Sequence, residues 1–275
     1  MFKMYDLNMK EIPFPDGLMP LDIFVSSISK KRATEEIEGR NGVVDYGTNY
    51  VDRSVELSMW INSADTIDYR LLRNEIYALF DTGNAFYIEE TRVPSRVLKV
   101  AVDESFIPDR LTVRNASVEV SCRTLDSVFW ESKYTTLELH DSGYSATAEK
   151  YGLVDNIDDE KVKYRFTESN FTVYNAGNVT IEPESMYLNI FATYVQSTGD
   201  FTIRNKTTGE EIILKRNSNR NHFRINGMVP SFGSITNIFR DTNRRFISLA
   251  PGDNEFEILN GTFGEIRFDF KYLYK

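Results

Sequence analysis

Residues 37–61, with the sequence IEGRNGVVDYGTNYVDRSVELSMWI, constrain the fold of this chain more than any other segment. Their second half alternates between apolar and polar residues, and successive side chains of a strand point to opposite faces. One face of such a strand would carry Val51, Val55, Leu57, Met59 and Ile61. The pattern predicts a strand with one apolar face.

Glycines interrupt the first half of this segment at Gly39, Gly42 and Gly47. Glycine adopts backbone angles that other residues avoid, so these positions favour turns and bends. The simplest structure with this pattern is a long β-hairpin, or a strand pair joined by a mobile loop, without a catalytic side chain. Unpaired strand edges bind other strands, so the segment indicates assembly rather than chemistry. Its candidate subunit-interface residues are Gly39, Gly42, Gly47, Val51, Arg53, Val55 and Leu57.

Composition indicates a mainly β protein. The 275 residues suffice for one or two domains. The 15 tyrosines and 19 phenylalanines favour strands, because aromatic side chains suit a pleated, half-buried surface. The formal net charge of −9, from 32 basic and 41 acidic residues, argues against a protein that binds phosphate through clustered Lys and Arg. A neutral sugar or a protein partner is compatible with this charge.

The single cysteine, Cys122, excludes an internal disulfide and lies in a strand-like run. A buried small apolar side chain is expected there rather than a reactive thiol. Residues 1–17 have no apolar core of the signal-peptide type, and no apolar run reaches the roughly 20 residues of a membrane-spanning helix. We therefore expect synthesis in a cytoplasm, no cleavable export signal and no membrane association.

The N-terminal half reads as a β-sandwich or small sheet with one packed helix. The helix is predicted at about 64–80, with Ser63 as its cap, Asp65 placed for the helix dipole and Gly83 at its end. Apolar residues recur there at helical spacing. The segment 30–38 is charged and expected to be exposed. Strands are predicted at 21–25, 84–90, 96–103 and 112–123.

The pattern breaks at 125–136, which predicts domains of 1–133 and 134–275. No helix of useful length is expected beyond the break. Short β-rich runs with Gly, Asn and Thr turns follow at intervals of about ten residues, as in a β-sandwich or jelly roll. The clearest hairpin joins 201–204 to 211–214 through the turn at 207–209. The remaining runs are 161–166, 171–175, 186–194, 223–226, 246–249, 255–259 and 263–270.

No constellation of catalytic, cofactor-binding or metal-ligating residues stands out. His140 and His222 are far apart and lack the ligand spacing of a zinc site. Neither a nucleophile elbow nor a phosphate-binding glycine loop is present. A glycosidase needs two carboxylates on facing strands, and the candidates are expected to be structural or solvated. They are Glu89, Glu90, Asp155, Asp158, Asp159, Glu160, Glu182 and Glu184.

A β-sandwich also raises the alternative of a carbohydrate-binding module, with aromatic rings exposed beside polar groups. Tyr174, Tyr187, Tyr194 and Trp130 are the candidate rings. Trp130 lies at the domain junction, and Tyr187 and Tyr194 lie in strand-like runs. Core or interface packing is therefore the expected role of these rings, and the fold alone does not decide the function.

Ordered short motifs in both halves carry a resemblance to a known family. They are Ile37–Gly42, Asp45-Tyr46-Gly47, Arg53–Leu57, the helical run 70–80, Phe171–Asn178 with Pro183, Phe201–Ile203 leading to Thr207–Glu210, and Leu249–Phe256. The chain resembles the distal tail proteins of long-tailed, non-contractile bacteriophages of Gram-positive hosts. The resemblance covers nearly the whole chain in the right order.

The resemblance implies a galectin-like C-terminal sandwich and a structural hub at the tail tip. Family members form a homohexameric ring that joins the tail tube to the tail-tip or baseplate proteins, including those that recognise the host. The N-terminal domains line a channel for DNA, which an acidic lining would let pass without specific binding. No catalytic residue, cofactor or metal is implied, and sugar binding is not expected. The alternative is an adhesin module that recognises cell-wall glycans.

Overall fold

The computed structural model describes residues 1–81, 83, 85–142 and 159–275. The predicted carboxylates Asp155 and Asp158, and Asn84 at the start of a predicted strand, lie outside these residues. The chain divides into two compact units, Met1–Trp130 with Lys275, and Glu131–Tyr274. This division falls inside the segment 125–136, where the sequence pattern breaks. No helix in the described part of the chain is long and apolar enough to cross a membrane.

The first unit is an antiparallel sheet with one packed helix and a separate two-stranded ribbon. Its strands are β1 (Phe2–Tyr5), β2 (Glu11–Ile12), β3 (Leu18–Val25), β4 (Lys30–Glu36), β5 (Val43–Tyr50), β6 (Ser54–Asn62), β7 (Phe86–Glu90), β8 (Arg96–Val102), β9 (Asp109–Arg110) and β10 (Asn115–Thr124). The main sheet runs in the order β2-β1-β7-β8-β10-β6-β3, β9 pairs with β10, and β4 and β5 form the ribbon.

Strand β6 forms the centre of the first core because it lies between β10 and β3. Its side chains alternate between buried and exposed over all nine residues. Val55, Leu57, Met59 and Ile61 are at most 2% exposed and pack with the buried face of the helix. The alternation seen in the sequence therefore records burial in the core.

Helix α1 (Thr66–Phe80) begins two residues later than predicted. Asp65, rather than Ser63, caps it, because the Asp65 carboxylate accepts from the backbone N–H groups of Ile67 and Asp68 at 2.8 and 2.9 Å. The Ser63 hydroxyl instead donates to the backbone oxygen of Arg114 at 2.9 Å. Buried residues on one face of α1 are Tyr69, Leu72, Ile76 and Phe80.

The second unit is a β-sandwich. After β11 (Trp130–Ser132), its strands are β12 (Arg165–Phe166), β13 (Asn170–Asn175), β14 (Leu188–Ser197), β15 (Phe201–Asn205), β16 (Glu210–Leu214), β17 (Ser218–Asn226), β18 (Val229–Phe232), β19 (Gly252–Leu259), β20 (Ile266–Phe270) and β21 (Leu273–Tyr274). One sheet has the order β12-β20-β14-β17-β18 and the other β13-β19-β15-β16. The sheets meet at Phe256 and Phe268, whose ring centroids are 4.8 Å apart. The predicted mainly β fold is confirmed.

Details of the second unit differ from the sequence prediction. A helical segment at 136–142 was not expected, and 3-10 turns occur at Asp159–Lys161 and Phe239–Asp241. Residues 246–249 form no strand and contribute only the bridge between Leu249 and Ile181. Strand β18, which pairs with β17, was missed. The predicted hairpin is confirmed, because β15 pairs with β16 from Phe201–Leu214 to Asn205–Glu210.

Three fully buried asparagines fix the turns of the second unit. Asn205 and Asn254 are 0% exposed and Asn175 is 1% exposed. Asn254 donates to the backbone oxygen of Ala250 at 2.8 Å and accepts from the Ala250 N–H at 2.9 Å. Asn175 donates to the backbone oxygens of Val179 and Leu249 at 3.0 and 3.2 Å. Buried polar side chains are retained when they satisfy backbone groups of this kind.

Candidate assembly surface

The most exposed regular element of the first unit is the hairpin formed by β4 and β5. Every residue of β4 is exposed, and on β5 only Val44 is partly covered. The strands pair antiparallel from Lys30–Tyr50 at the base to Glu36–Val43 at the tip. The prediction that residues 37–61 form a strand pair of their own is wrong. Strand β5 pairs with β4, the charged segment that was expected only to be exposed, whereas β6 pairs with β3 and β10. We call residues 30–50 the hairpin.

The hairpin continues the pair formed by β3 and β6. Val25 and Val55 are the last paired residues of those two strands. Beyond them, the Ser26 N–H donates to the Ser54 oxygen at 2.9 Å, and the Ser29 N–H donates to the Asp52 oxygen at 2.9 Å. The core sheet therefore holds both strands of the hairpin at its root.

The predicted glycines lie where the hairpin turns and bends. Gly39 and Gly42 have φ of 83° and 87° at the tip, and Gly47 has φ of 112° within β5. Positive φ favours glycine. Opposite Gly47 the pairing register shifts between Arg32 and Thr34, which is the signature of a β-bulge. A Cβ at any of the three glycines would meet no atom within 4 Å, so the backbone angle is what requires glycine.

Arg53 anchors the root of the hairpin. It is only 8% exposed, and its Nε donates to the Ser26 oxygen at 2.8 Å. Its backbone N–H donates to the Thr124 hydroxyl at 3.0 Å. Among the described residues, the buried Nη1 atom has no hydrogen-bond partner. Burial lowers the pKa of the guanidinium from its ordinary value, because a low-dielectric surrounding disfavours charge.

The seven candidate interface residues separate into three groups. Val55 and Leu57 were expected at a subunit interface and are instead in the core, because β6 is paired on both sides. Arg53 is buried at the root. Val51 is 53% exposed and directly follows the hairpin, which contains the three glycines. These four residues are accessible to another chain.

The exposed hairpin carries apolar and aromatic side chains. Tyr46 is 63% exposed, Val43 52% and Ile37 46%. The Tyr46 hydroxyl donates to Glu35 Oε2 at 2.6 Å, which raises the pKa of Tyr46. The Tyr50 ring packs edge-on against Phe129, with centroids 5.7 Å apart. Exposed apolar side chains concentrated in one element are typical of an interaction site.

Strand β3 adds a second open surface, because it is the last strand of the main sheet. Met19, Leu21 and Phe24 on β3 are 46%, 45% and 56% exposed. Phe24 borders a surface groove of about 480 Å³ that also includes Ser26. A long edge strand with exposed apolar side chains is a template for pairing with another chain. Together, the hairpin and the β3 edge form the candidate assembly surface.

The other predicted residues form no catalytic site among the described parts of the chain. No group of three His, Cys, Asp or Glu in these parts is placed to hold a metal ion. Glu89 is buried, whereas Glu90 is partly exposed on the neighbouring position of β7. Glu182 and Glu184 are exposed in a loop. Cys122 is 2% exposed, and burial raises the pKa of its thiol to about 12.

The candidate sugar-stacking rings divide into covered and exposed ones. Trp130 is partly buried against the first core, and Tyr174 lies under Lys161, whose Nζ is 5.1 Å from the ring centroid. Core or interface packing was expected for Tyr187 and Tyr194, and they are not in the core, because they are 47% and 59% exposed. Tyr194 has φ of 49° at a register shift in β14, and this bulge, which the sequence pattern does not signal, turns its ring outward.

Comparisons with known proteins agree with the fold and the resemblance. Residues 13–122, which include the hairpin, match the family model of the phage tail protein RIFT-related domain. Comparison with curated proteins finds no match. The whole chain is similar to the crystal structure of the SPP1 Dit (gp 19.1) protein, described as a paradigm of the hub adsorption apparatus in phages that infect Gram-positive hosts. The TM-score is 0.68 at 13% identity, over 99% of this chain and 100% of that chain.

Two structures of the phage p2 baseplate in its activated conformation, with Sr and with Ca, are less similar. Their TM-scores are both 0.44, with 10% and 12% identity over 98% of this chain and 97% of those chains. The family model covers the first unit from β3 to most of β10, with the hairpin and helix α1, but not β1 and β2. The similarity in fold to the SPP1 Dit protein extends through the second unit. Residues 13–122 are therefore similar to the phage tail protein RIFT-related domain, and the fold of the chain as a whole is similar to that of the SPP1 Dit protein.

Proposed function

We propose that this chain is a structural protein of a bacteriophage tail tip. In this proposal it is a distal tail hub, of which six copies form a ring that joins the tail tube to the tail tip or baseplate and to the host-recognition apparatus. The match of residues 13–122 to a phage tail domain carries the proposal. The similarity in fold to a hub protein over the full chain supports it.

The two open surfaces of the first unit suit such a ring. A closed ring needs a head-to-tail interface, in which two different surfaces of the subunit meet. The hairpin and the apolar β3 edge are two such surfaces. Gly39, Gly42 and Gly47 belong to the hairpin, and Val51 directly follows it. In this proposal, domain 1–133 builds the ring and domain 134–275 projects outward.

The proposed protein is made in the cytoplasm of the host bacterium and becomes part of the virion at the tail tip. Its net charge of −9 suits a channel through which DNA passes without specific binding, because carboxylates repel phosphate. The role is structural and requires no catalytic residue, cofactor or metal.

The ring is tested by sedimentation velocity and negative-stain microscopy of the full chain at high concentration, alone and with tail-tube and tail-tip proteins. Six-fold rings, single or paired back to back, are expected. A chain that stays monomeric in all of these mixtures contradicts the proposal.

The exposure of Tyr187 and Tyr194 favours a second candidate, an adhesin that binds cell-wall glycans. The Tyr187 hydroxyl donates to Asp269 Oδ2 at 2.6 Å, and the Tyr194 ring lies 5.2 Å from His222. Rings beside polar groups are the arrangement that saccharides need. Binding of the full chain to purified cell wall that is lost in Y187A/Y194A, but kept in the control Y46A, would support this function. If Y187A/Y194A and Y46A bind the cell wall equally well, or if the wild type does not bind it, this function is contradicted.

A further inference from the structure

The charges of the hairpin are sorted along its length. The base of β4 carries Lys30, Lys31 and Arg32, whereas Glu35 and Glu36 end the strand and Glu38 follows in the turn. Arg40 in the same turn offsets one of these three carboxylates, so the tip keeps a net negative charge. The partner strand β5 has a single charged residue, Asp45. One end of the hairpin is therefore basic and the other acidic.

The two charged ends do not neutralise each other within one copy. Glu36 lies five residue steps beyond Lys31, which is about 17 Å along a strand. Physiological salt screens exposed charges beyond about 8 Å. Within the described chain, neither Lys31 nor Glu36 has an ion-pair partner, and the pair Arg32–Asp45 is loose, at 3.7 Å between exposed side chains.

The hairpin also has unused backbone and apolar groups. In the described chain β4 pairs only with β5, so each strand keeps an outer edge of free N–H and C=O groups. Ile37, Val43 and Tyr46 expose apolar surface near the acidic tip. A second strand ribbon laid along this one would satisfy backbone groups, cover apolar surface and neutralise charge.

We propose that the occupant of this surface is the hairpin of a second copy, arranged so that the acidic tip of one subunit lies on the basic base of the next. Glu35, Glu36 and Glu38 of one copy then face Lys30, Lys31 and Arg32 of its neighbour. The contact is head-to-tail, because tip and base are different surfaces, and its repetition gives a ring when the rotation between neighbours closes. The inference rests on the proposed function and specifies which parts of the hairpin meet.

Another arrangement uses the same charges and gives a different assembly. If the β4 strands of two copies paired antiparallel about a two-fold axis, Lys31 of each copy would lie opposite Glu36 of the other. That contact is complete in a dimer. The number of subunits therefore separates the two arrangements.

The test compares charge reversals of the full chain in sedimentation velocity and native mass measurements. The tip variant is E35K/E36K and the base variant is K31E/R32E. A matched control, E168K/E184K, makes the same charge change as the tip variant at exposed positions of the second unit. Like charges across an interface cost several kcal/mol, so the tip and base variants should each assemble at least about tenfold more weakly, whereas the control assembles like the wild type.

Restoring complementarity should restore the ring. The fourfold variant K31E/R32E/E35K/E36K is expected to assemble alone, and an equimolar mixture of tip and base variants should form rings with both chains alternating. Circular dichroism and melting temperatures establish that each variant folds. Wild-type assembly should also weaken as NaCl is raised from about 50 to about 500 mM.

The outcomes separate this inference from the proposed function. Six-membered rings that form equally well in the tip and base variants overturn the tip-on-base contact and leave the ring intact. A mixture that yields only dimers overturns the head-to-tail arrangement. A wild-type chain that is monomeric even with its tail partners overturns the ring itself.

Discussion

Arg53 Nε donates a hydrogen bond to the backbone oxygen of Ser26 at 2.8 Å, and this bond ties together the two chain segments that enter and leave the hairpin. Replacing Arg53 with alanine removes the bond and the packing of its aliphatic stem. A hydrogen bond to a charged group contributes about 1.5–3 kcal/mol, so R53A should lower the free energy of unfolding by about 1–2 kcal/mol. Urea denaturation measures this change.

The matched control for R53A is R123A. Arg123 lies near the same root and forms ion pairs with Asp103 and Asp52, at 2.7 and 3.7 Å, but its side chain is 55% exposed. Surface ion pairs contribute about 0–1 kcal/mol, so R123A should cost less than R53A. Equal losses in the two variants would contradict the role of Arg53 as the buried anchor.

A second prediction separates the core strand from the open edge beside it. Leu57 on β6 is fully buried and Phe24 on β3 is 56% exposed. A charge in the core has no partner and is strongly destabilising, so L57D should not fold. F24S should change the free energy of unfolding by no more than about 0.5 kcal/mol. It should nevertheless weaken assembly about tenfold, because the proposed hexamer buries the Phe24 side chain. Melting curves and sedimentation of both variants provide the measurement, and an L57D variant that folds and assembles would refute the placement of Leu57.

The sequence predicted β6 and helix α1 because both bury one face, and burial of one face produces a periodic pattern of apolar residues. Strand β4 has no such pattern. All of its side chains are exposed, so nothing selected for alternation, and a charged strand looks like a charged loop. Gly39 and Gly42 were enough to predict the turn but not the strand that leads into it, so β5 was assigned the wrong partner.

Contacts distant in sequence explain the remaining differences. Ser63 has the chemistry of a helix cap, but its hydroxyl is used by Arg114, 51 residues away, and no local pattern reveals that. The neighbouring Asp65 takes over the cap. Val55 and Leu57 were assigned to an interface because the pattern shows that one face of β6 is covered but does not show by what.

A third prediction concerns the buried asparagines of the second unit. Asn205 Nδ2 donates to Asn254 Oδ1 at 3.2 Å and to the Ser248 oxygen at 2.9 Å. N254A would remove the first of these bonds and both bonds between the Asn254 side chain and the backbone of Ala250. An unsatisfied buried polar group costs about 1–3 kcal/mol, so N254A should destabilise the unit by at least about 2 kcal/mol. The control N170A removes an exposed amide and should change stability by no more than about 0.5 kcal/mol. Similar midpoints of denaturation for the two variants would contradict the network.

The last prediction is a pH dependence at the start of helix α1. Backbone hydrogen bonds from Asp68 and Ile67 lower the pKa of Asp65 below its ordinary value, since both bonds favour the charged carboxylate. A carboxyl group with a lowered folded pKa stabilises the fold above its unfolded pKa, and this contribution is lost as the pH falls through the folded pKa.

D65A should therefore melt below the wild type at neutral pH, and the difference should shrink as the pH is lowered through the acidic range in which Asp65 is protonated. The matched variant D65N keeps a capping oxygen without the charge, so its loss at neutral pH should be smaller than that of D65A. Its advantage over D65A should be nearly independent of pH, because neither variant has a group that titrates at this position. Thermal melts of the three proteins from neutral to strongly acidic pH provide the measurement. A difference between wild type and D65A that stays constant over that range would show that the carboxylate charge does not stabilise the helix.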